Sequence, residues 1–82
     1  MSKKFYLASA SNTLPPIYYL LKEKGYTIRV ENTFWVAENE TTNFCSEDLL
    51  MLAGLVFLYE NKGEDWRIDD EKIEEFGKKY PY

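Results

Sequence analysis

Carboxylates are the side chains in this 82-residue sequence that could do acid–base chemistry. Glu31, Glu38 and Glu40 flank a predicted hairpin, and two carboxyl groups at a suitable separation can support hydrolysis. Spacing along the chain does not reveal that separation, and carboxylates on a hairpin are most often solvated. We therefore rank a carboxylate hydrolase third among the candidate functions, predict that the chain is not an enzyme, and assign no catalytic residue.

Other reactive side chains are too few or too scattered to form a familiar catalytic or metal site. The chain has no histidine, which excludes Ser-His-Asp and Cys-His nucleophiles and histidine-ligated zinc. Its four glycines are dispersed, so that no glycine-rich loop can hold a phosphate. Cys45 stands alone just before an apolar run, where a small buried thiol is expected. The sequence predicts no metal and no cofactor.

The two halves of the chain differ in net charge. The net charge is −4, of which residues 1–41 carry +1 and residues 42–82 carry −5. No basic stripe is present, which disfavours nucleic acid and matches a basic protein partner better. The apolar stretch at 5–8 is too short for a signal peptide, and that at 49–59 is shorter than the about 20 residues that span a bilayer. We expect a cytoplasmic protein that does not enter a membrane.

The elements that would position these residues begin with a small sheet. Residues 5–8 are predicted to form a first strand, followed by a helix that ends at Gly25. Apolar and polar residues then alternate over 26–38, which predicts a β-hairpin turning at Asn32 and Thr33. A crossover through the helix would set the first strand parallel to the hairpin if the two are neighbours.

Two further helices are predicted in the second half of the chain. Ser46 is expected to cap the first, which covers the apolar run 49–59 and stops at Gly63. Asp69 is expected to cap the second. The prediction is a single α+β domain over residues 1–82 with the order β-α-β-β-α-α. In this fold the first strand and the hairpin pack against two or three helices.

The apolar run 49–59 carries more apolar surface than one sheet can cover. A helix that packs on a sheet needs one apolar stripe with polar residues behind it. Four residues could supply that stripe: Leu49, Leu52, Ala53 and Val56. Four others point to other sides and form a candidate dimer face: Leu50, Met51, Leu55 and Leu58. Either the first and third helices cover these residues within the monomer, or part of the run forms a homodimer or partner surface.

An acidic stretch with aromatic residues in it follows that helix. Its candidate partner-binding residues are Tyr59, Glu60, Glu64, Asp65, Trp66, Asp69, Asp70, Glu71 and Glu74. Part of this charge suits a helix N-terminus, and such acids often form a solvated face. Like charges at Asp70 and Glu74, four residues apart, are not explained by helix stability. Trp66 among acids is typical of an aromatic anchor on a protein-binding surface, although it could equally be a core residue.

Several segments spread over most of the chain share a pattern with a known class of protein. They are Leu20-Leu21-Lys22-Glu23-Lys24-Gly25-Tyr26, Phe34-Trp35-Val36-Ala37-Glu38, Leu49-Leu50, Gly54-Leu55 and Trp66. Together they resemble small acidic bacterial immunity-type proteins, which neutralise a cognate toxin by binding it. The resemblance implies an inhibitor that binds a basic toxin domain, and it assigns no role to individual residues. A structural or regulatory homodimer that uses the apolar helix is the alternative.

Overall fold

The chain folds in the order α-β-β-β-α-α, as seen in a computed structural model that describes residues 3–81. Its helices and strands are α1 (Leu14–Glu23), β1 (Thr27–Glu31), β2 (Phe34–Glu38), β3 (Asn43–Ser46), α2 (Leu49–Lys62) and α3 (Asp70–Lys79). Short 3₁₀ turns precede α1 at Ser11–Thr13 and follow α2 at Gly63–Asp65. The predicted α+β class is confirmed, whereas the predicted order β-α-β-β-α-α is wrong in where it places the first strand.

The three strands form one antiparallel sheet with the order β1-β2-β3. In one row of its register, Ile28 lies opposite Ala37, which in turn lies opposite Phe44. A two-residue turn joins β1 to β2, with Asn32 at φ 48° and Thr33 at φ 73°. Two positive φ angles are typical of the type I′ turn, whose twist matches that of the flanking strands. The hairpin predicted over 26–38 is thus confirmed.

The strand predicted at residues 5–8 does not form, and the third strand is Asn43–Ser46 instead. The chain reverses at Asn39, whose Oδ1 accepts hydrogen bonds from the backbone N–H of Thr41 at 3.0 Å and of Thr42 at 2.8 Å. Because this turn is so short, β3 pairs with β2 at a small loop-closure cost. The predicted parallel crossover through the first helix is therefore replaced by two consecutive antiparallel pairings.

Helices α1 and α2 pack together on one face of the sheet and enclose the core. The buried core residues are Leu21, Tyr26, Ala37, Leu49, Leu52 and Val56. Strand alternation directs Ile28, Trp35 and Phe44 towards this core. The same alternation directs Arg29 and Cys45 to the opposite face of the sheet. The prediction of a buried thiol is wrong, because Cys45 lies in β3 on the face without helices and is exposed.

Local caps set the ends of the later helices. Asp48, rather than Ser46 as predicted, caps α2, since its Oδ1 accepts a hydrogen bond from the backbone N–H of Met51 at 2.7 Å. Ser46 is instead the last residue of β3 and is buried. Gly63 ends α2 and Asp69 caps α3 through its side chain, both as predicted. Because Asp48 caps the helix, Ser46 can pair with Trp35 in the sheet.

Helix α3 leaves much of α2 uncovered. None of the ten residues of α3, all of which the structure describes, is buried. Leu50 and Met51 of α2 remain exposed as well. The alternative in which the first and third helices together bury the apolar run 49–59 is therefore wrong, because α3 does not cover it. Its first turn contains Asp70 and Glu71, whose charges favour solvent over an apolar contact.

Candidate functional site

The side of α2 that faces away from the sheet is apolar over most of its length. Successive helix residues are about 100° apart, which divides the predicted dimer face into two stripes. Met51, Leu55 and Leu58 form one stripe, at spacings of four and three residues. Leu50 lies roughly a quarter turn away, on the same stripe as Phe57. Both stripes reach solvent, since Met51 is 58% exposed and Phe57 is 69% exposed.

The first of these stripes opens onto an apolar hollow of about 220 Å³. The hollow is lined by Phe44, Leu55, Leu58, Tyr59 and Trp66. Phe44 links it to the core, because its ring centroid lies 5.5 Å from that of Tyr59 and 6.0 Å from that of Tyr26. Both pairs are edge to face, an arrangement that favours a fixed ring orientation. One wall of the hollow is therefore anchored to the sheet.

Trp66 reaches the hollow because the chain turns sharply at the end of α2. Gly63 has φ 58°, a conformation that residues with a Cβ rarely adopt. The 3₁₀ turn at Gly63–Asp65 then brings Trp66 into the lining of the hollow. Arg67 lies against the indole, with its Cζ 4.5 Å from the ring centroid. Trp66 is 45% exposed, so it contributes to the hollow and still presents part of its ring to solvent.

Acidic side chains surround Trp66 along the chain. Residues 60–76 include eight acids and three bases, a net charge of −5. Glu64 and Asp65 lie in the turn immediately before Trp66 and are exposed. Asp70, in the first turn of α3, is exposed as well. An apolar hollow and a strongly acidic segment thus meet at one tryptophan.

Of the nine predicted partner-binding residues, two line the hollow, two make other local contacts and five are exposed away from it. Tyr59 and Trp66 line the same hollow. Glu60 is turned to the other side of α2, where its Oε1 lies 3.1 Å from Nζ of Lys24 beyond the end of α1. Asp69 is engaged as the cap of α3. The remaining predicted acids are exposed and do not line the hollow: Glu64, Asp65, Asp70, Glu71 and Glu74.

The carboxylates considered for catalysis are held by an arginine. On the face of the sheet without helices, Arg29 donates from Nε to Glu31 and from Nη1 to Glu38 at 2.8 Å. The hydrogen bonds to Glu31, the larger cause, and to Glu38 raise the pKa of Arg29 above its ordinary value. Glu40 lies exposed in the loop after β2. The depression beside Arg29, about 700 Å³, is open to solvent, and its lining includes Arg29, Glu38 and Glu40. Ion pairing therefore explains the positions of Glu31 and Glu38 without catalysis.

Two residues of the candidate site and its surroundings were missed in the sequence analysis. Phe44 forms a wall of the hollow, and its signal was the alternation of Asn43, Phe44 and Cys45 directly after a turn. Phe57 belongs to the apolar run 49–59, but the sequence analysis assigned it neither to the sheet-facing stripe nor to the dimer face. Its place on the outer face follows from its spacing of seven residues from Leu50.

Comparisons with known proteins identify no relative. No family model matches the chain, and neither a curated protein nor a solved structure matches it. Within residues 3–81 no group of three or more His, Cys, Asp or Glu side chains could hold a metal ion. No helix in that part of the chain is long and apolar enough to cross a membrane. The surface chemistry of the chain is what bears on its function.

Proposed function

We propose that the chain is a non-enzymatic protein-binding module whose partner is a basic protein. The observation that carries the proposal is the apolar hollow at Trp66, which lies directly after the acidic turn with Glu64 and Asp65. A hollow lined by aromatic and leucine side chains can accept an apolar anchor of the partner. The exposed part of Trp66 then contacts the surface around that anchor.

The hollow and the acids have different roles in binding. Burial of one Leu or Phe side chain of the partner contributes about 1.5–3 kcal/mol and slows dissociation. The net charge of −5 over residues 60–76 acts mainly on the association rate and on its dependence on salt. Exposed ion pairs add only about 0–1 kcal/mol each. The apolar contact therefore holds the complex, and the acids select a basic partner.

The resemblance to immunity-type proteins gives this partner a class. Proteins of that class neutralise a toxin by binding it, and many of them are acidic. We infer that the partner is a basic toxin domain and that the chain inhibits it by covering its surface, in the cytoplasm, rather than through a reaction. Two features support this inference: the acidic segment 60–76 and the aromatic hollow beside it.

The experiment begins with the chain as bait in an extract of its native host. The product of a neighbouring reading frame is the first candidate to purify. Association and dissociation rates are then measured at several salt concentrations for the natural chain and three variants. The variants are Trp66→Ala, the triple Glu64→Gln/Asp65→Asn/Asp70→Asn, and a matched control triple of exposed acids elsewhere, Glu23→Gln/Glu40→Gln/Glu47→Gln.

We expect the acidic triple to lower the association rate and its salt dependence more than the control triple does. Trp66→Ala should raise the dissociation rate about 30-fold, equivalent to about 2 kcal/mol. Thermal melts must first show that Trp66→Ala is folded. A folded Trp66→Ala with an unchanged dissociation rate would remove the hollow as the binding site. An equal effect of the two triples would mean that only total charge matters.

A further inference from the structure

Helix α3 presents an apolar stripe to solvent. Ile73 and Phe76 lie three residues apart on one side of the helix, and Tyr80, directly after its last residue, places its ring beside Phe76. They are 44%, 54% and 58% exposed, and the ring of Phe76 lies 5.7 Å from that of Tyr80. About half of each residue is therefore accessible for a further apolar contact.

A helix of this length gains from such a contact. Isolated helices shorter than about 12–15 residues are marginal in water, and α3 has ten residues. The Asp69 cap contributes about 1 kcal/mol. The i,i+4 pair of Glu74 and Lys78 contributes about 0.2–0.5 kcal/mol. In globular proteins most helix stability comes from the packing of an apolar face, so further burial of the exposed part of this stripe would stabilise α3.

The second stripe of α2 has the features of a helix-docking surface. Leu50 is 45% exposed and Phe57 is 69% exposed, and Gly54 lies between them on the same side of α2. A glycine inside a helix costs about 1 kcal/mol relative to alanine. Apart from its chain neighbours and the backbone of its own helix, no atom of residues 3–81 lies within 4 Å of the place where a Cβ on Gly54 would stand. The packing of this chain therefore gives no reason for a glycine there, whereas close approach of another helix would give one.

We propose that α3 of a second copy of this chain packs across Leu50, Gly54 and Phe57, so that two copies exchange their third helices in a two-fold dimer. The side chain of Ile73 or Phe76 from the second copy would lie over Gly54. In a two-fold dimer the same contact forms twice, and the exposed parts of both stripes are covered at once.

The surface available is large enough for such a dimer. At roughly 200 Å² per large side chain, the exposed parts of Leu50, Phe57, Ile73, Phe76 and Tyr80 amount to about 500 Å² on each copy. A two-fold pair would bury about 1,000 Å² of side chain alone, the size that a biological interface should reach.

The docked helix is assigned to a second copy because α3 does not cover Leu50 and Phe57 of its own chain. Trp66, just before α3, lines the hollow together with Leu55 and Leu58, which lie roughly a quarter turn from Leu50 and Phe57. Only residues 67–69 separate Trp66 from α3. None of the residues that line the hollow belongs to the proposed docking stripe, so this proposal does not rest on the proposed function and can fail or hold without it.

Sedimentation equilibrium of the full chain across micromolar concentrations tests the proposal. Gly54→Leu fills the space that the docked helix needs, and a leucine suits an isolated helix better than glycine does. Ile73→Ser/Tyr80→Ser removes apolar surface from α3. The matched control is Tyr19→Ser/Leu20→Ser, which removes two side chains of α1 that are 63% and 53% exposed.

We expect the natural chain and the α1 control to form dimers of equal stability. The Gly54→Leu and the α3 variants should each dimerise roughly tenfold or more weakly. A mixture of these two variants retains one intact contact of the two and should form heterodimers. Circular dichroism should show helix content rising with concentration in the natural chain.

Three results would overturn the proposal. The natural chain could remain monomeric throughout the concentration range. Its dimer could survive both variants, or weaken as much in the α1 control. Finally, a monomer whose melting temperature falls in Ile73→Ser/Tyr80→Ser would show that α3 docks within its own chain. Because Gly54→Leu and the α3 variant lie on different helices, loss of folding in one leaves the other to decide.

Discussion

The turn between β1 and β2 holds Thr33 in a conformation that suits glycine. Its φ of 73° lies in the left-handed region, where a Cβ costs about 1–2 kcal/mol. Asn32 lies at φ 48°, and asparagine tolerates this region. Threonine, which is β-branched, rarely adopts it. Asn followed by Gly is the preferred pair for a type I′ turn. We therefore expect Thr33→Gly to stabilise the domain.

Two opposing effects set the size of this stabilisation. Relief of the left-handed strain is favourable by about 1–2 kcal/mol. The greater freedom of glycine in the unfolded chain costs about 0.5–1 kcal/mol. Thr33 is exposed, so that no packing is lost. The net gain should be about 0.5–1 kcal/mol, which in a domain of this size raises the melting temperature by about 2–8 °C.

Thermal melts and urea titrations of the Thr33→Gly variant measure the effect. The urea midpoint should rise with an unchanged slope, since the surface exposed on unfolding stays the same. Thr27→Gly is the matched control, because Thr27 is also an exposed threonine of this hairpin but has no positive φ. The free energy of unfolding of Thr27→Gly should be about 0.5–1 kcal/mol lower than that of the natural chain. If Thr33→Gly lowers the melting temperature as Thr27→Gly does, the strain argument is wrong.

Two further predictions concern α2. Leu52 is completely buried, and Leu52→Ala should reduce the free energy of unfolding in urea by about 2–5 kcal/mol. Leu20→Ala, at an exposed position of α1, should change it by less than about 0.5 kcal/mol, and a similar loss in both would contradict the assigned core. Asp48→Ala removes the cap of α2 and should cost about 1 kcal/mol. If Ser46→Ala lowers the melting temperature more than Asp48→Ala does, Ser46 is the cap, as the sequence predicted.

Helix ends and the hairpin could be predicted because their causes lie in neighbouring residues. Gly63 and Asp69 act within one turn of their helices, and the hairpin follows from alternation around Asn32 and Thr33. Strand pairing depends on more than pattern. Residues 5–8 are as apolar as a strand requires, but the short turn at Asn39 lets β3 pair with β2 at a small loop-closure cost.

The site was predictable only in pieces for the same reason. Trp66 among acids, and Leu55 and Leu58 as surplus apolar residues, were separate features of the sequence. Their meeting depends on the turn after Gly63 and on Phe44, which comes from the strand that was missed. Periodicity on one helix cannot show which residue of a later turn will fold back against it.

Cys45 gives the molecule one chemically unique attachment point. It is the single cysteine of the sequence, and its thiol is exposed. Because neighbouring strand residues point in opposite directions, Cys45 faces away from Phe44 and from the hollow that Phe44 lines. A maleimide dye or a surface linker coupled there would leave both stripes of α2 and Trp66 accessible. The natural sequence can therefore be labelled at one defined position for anisotropy or immobilisation, with no cysteine added or removed.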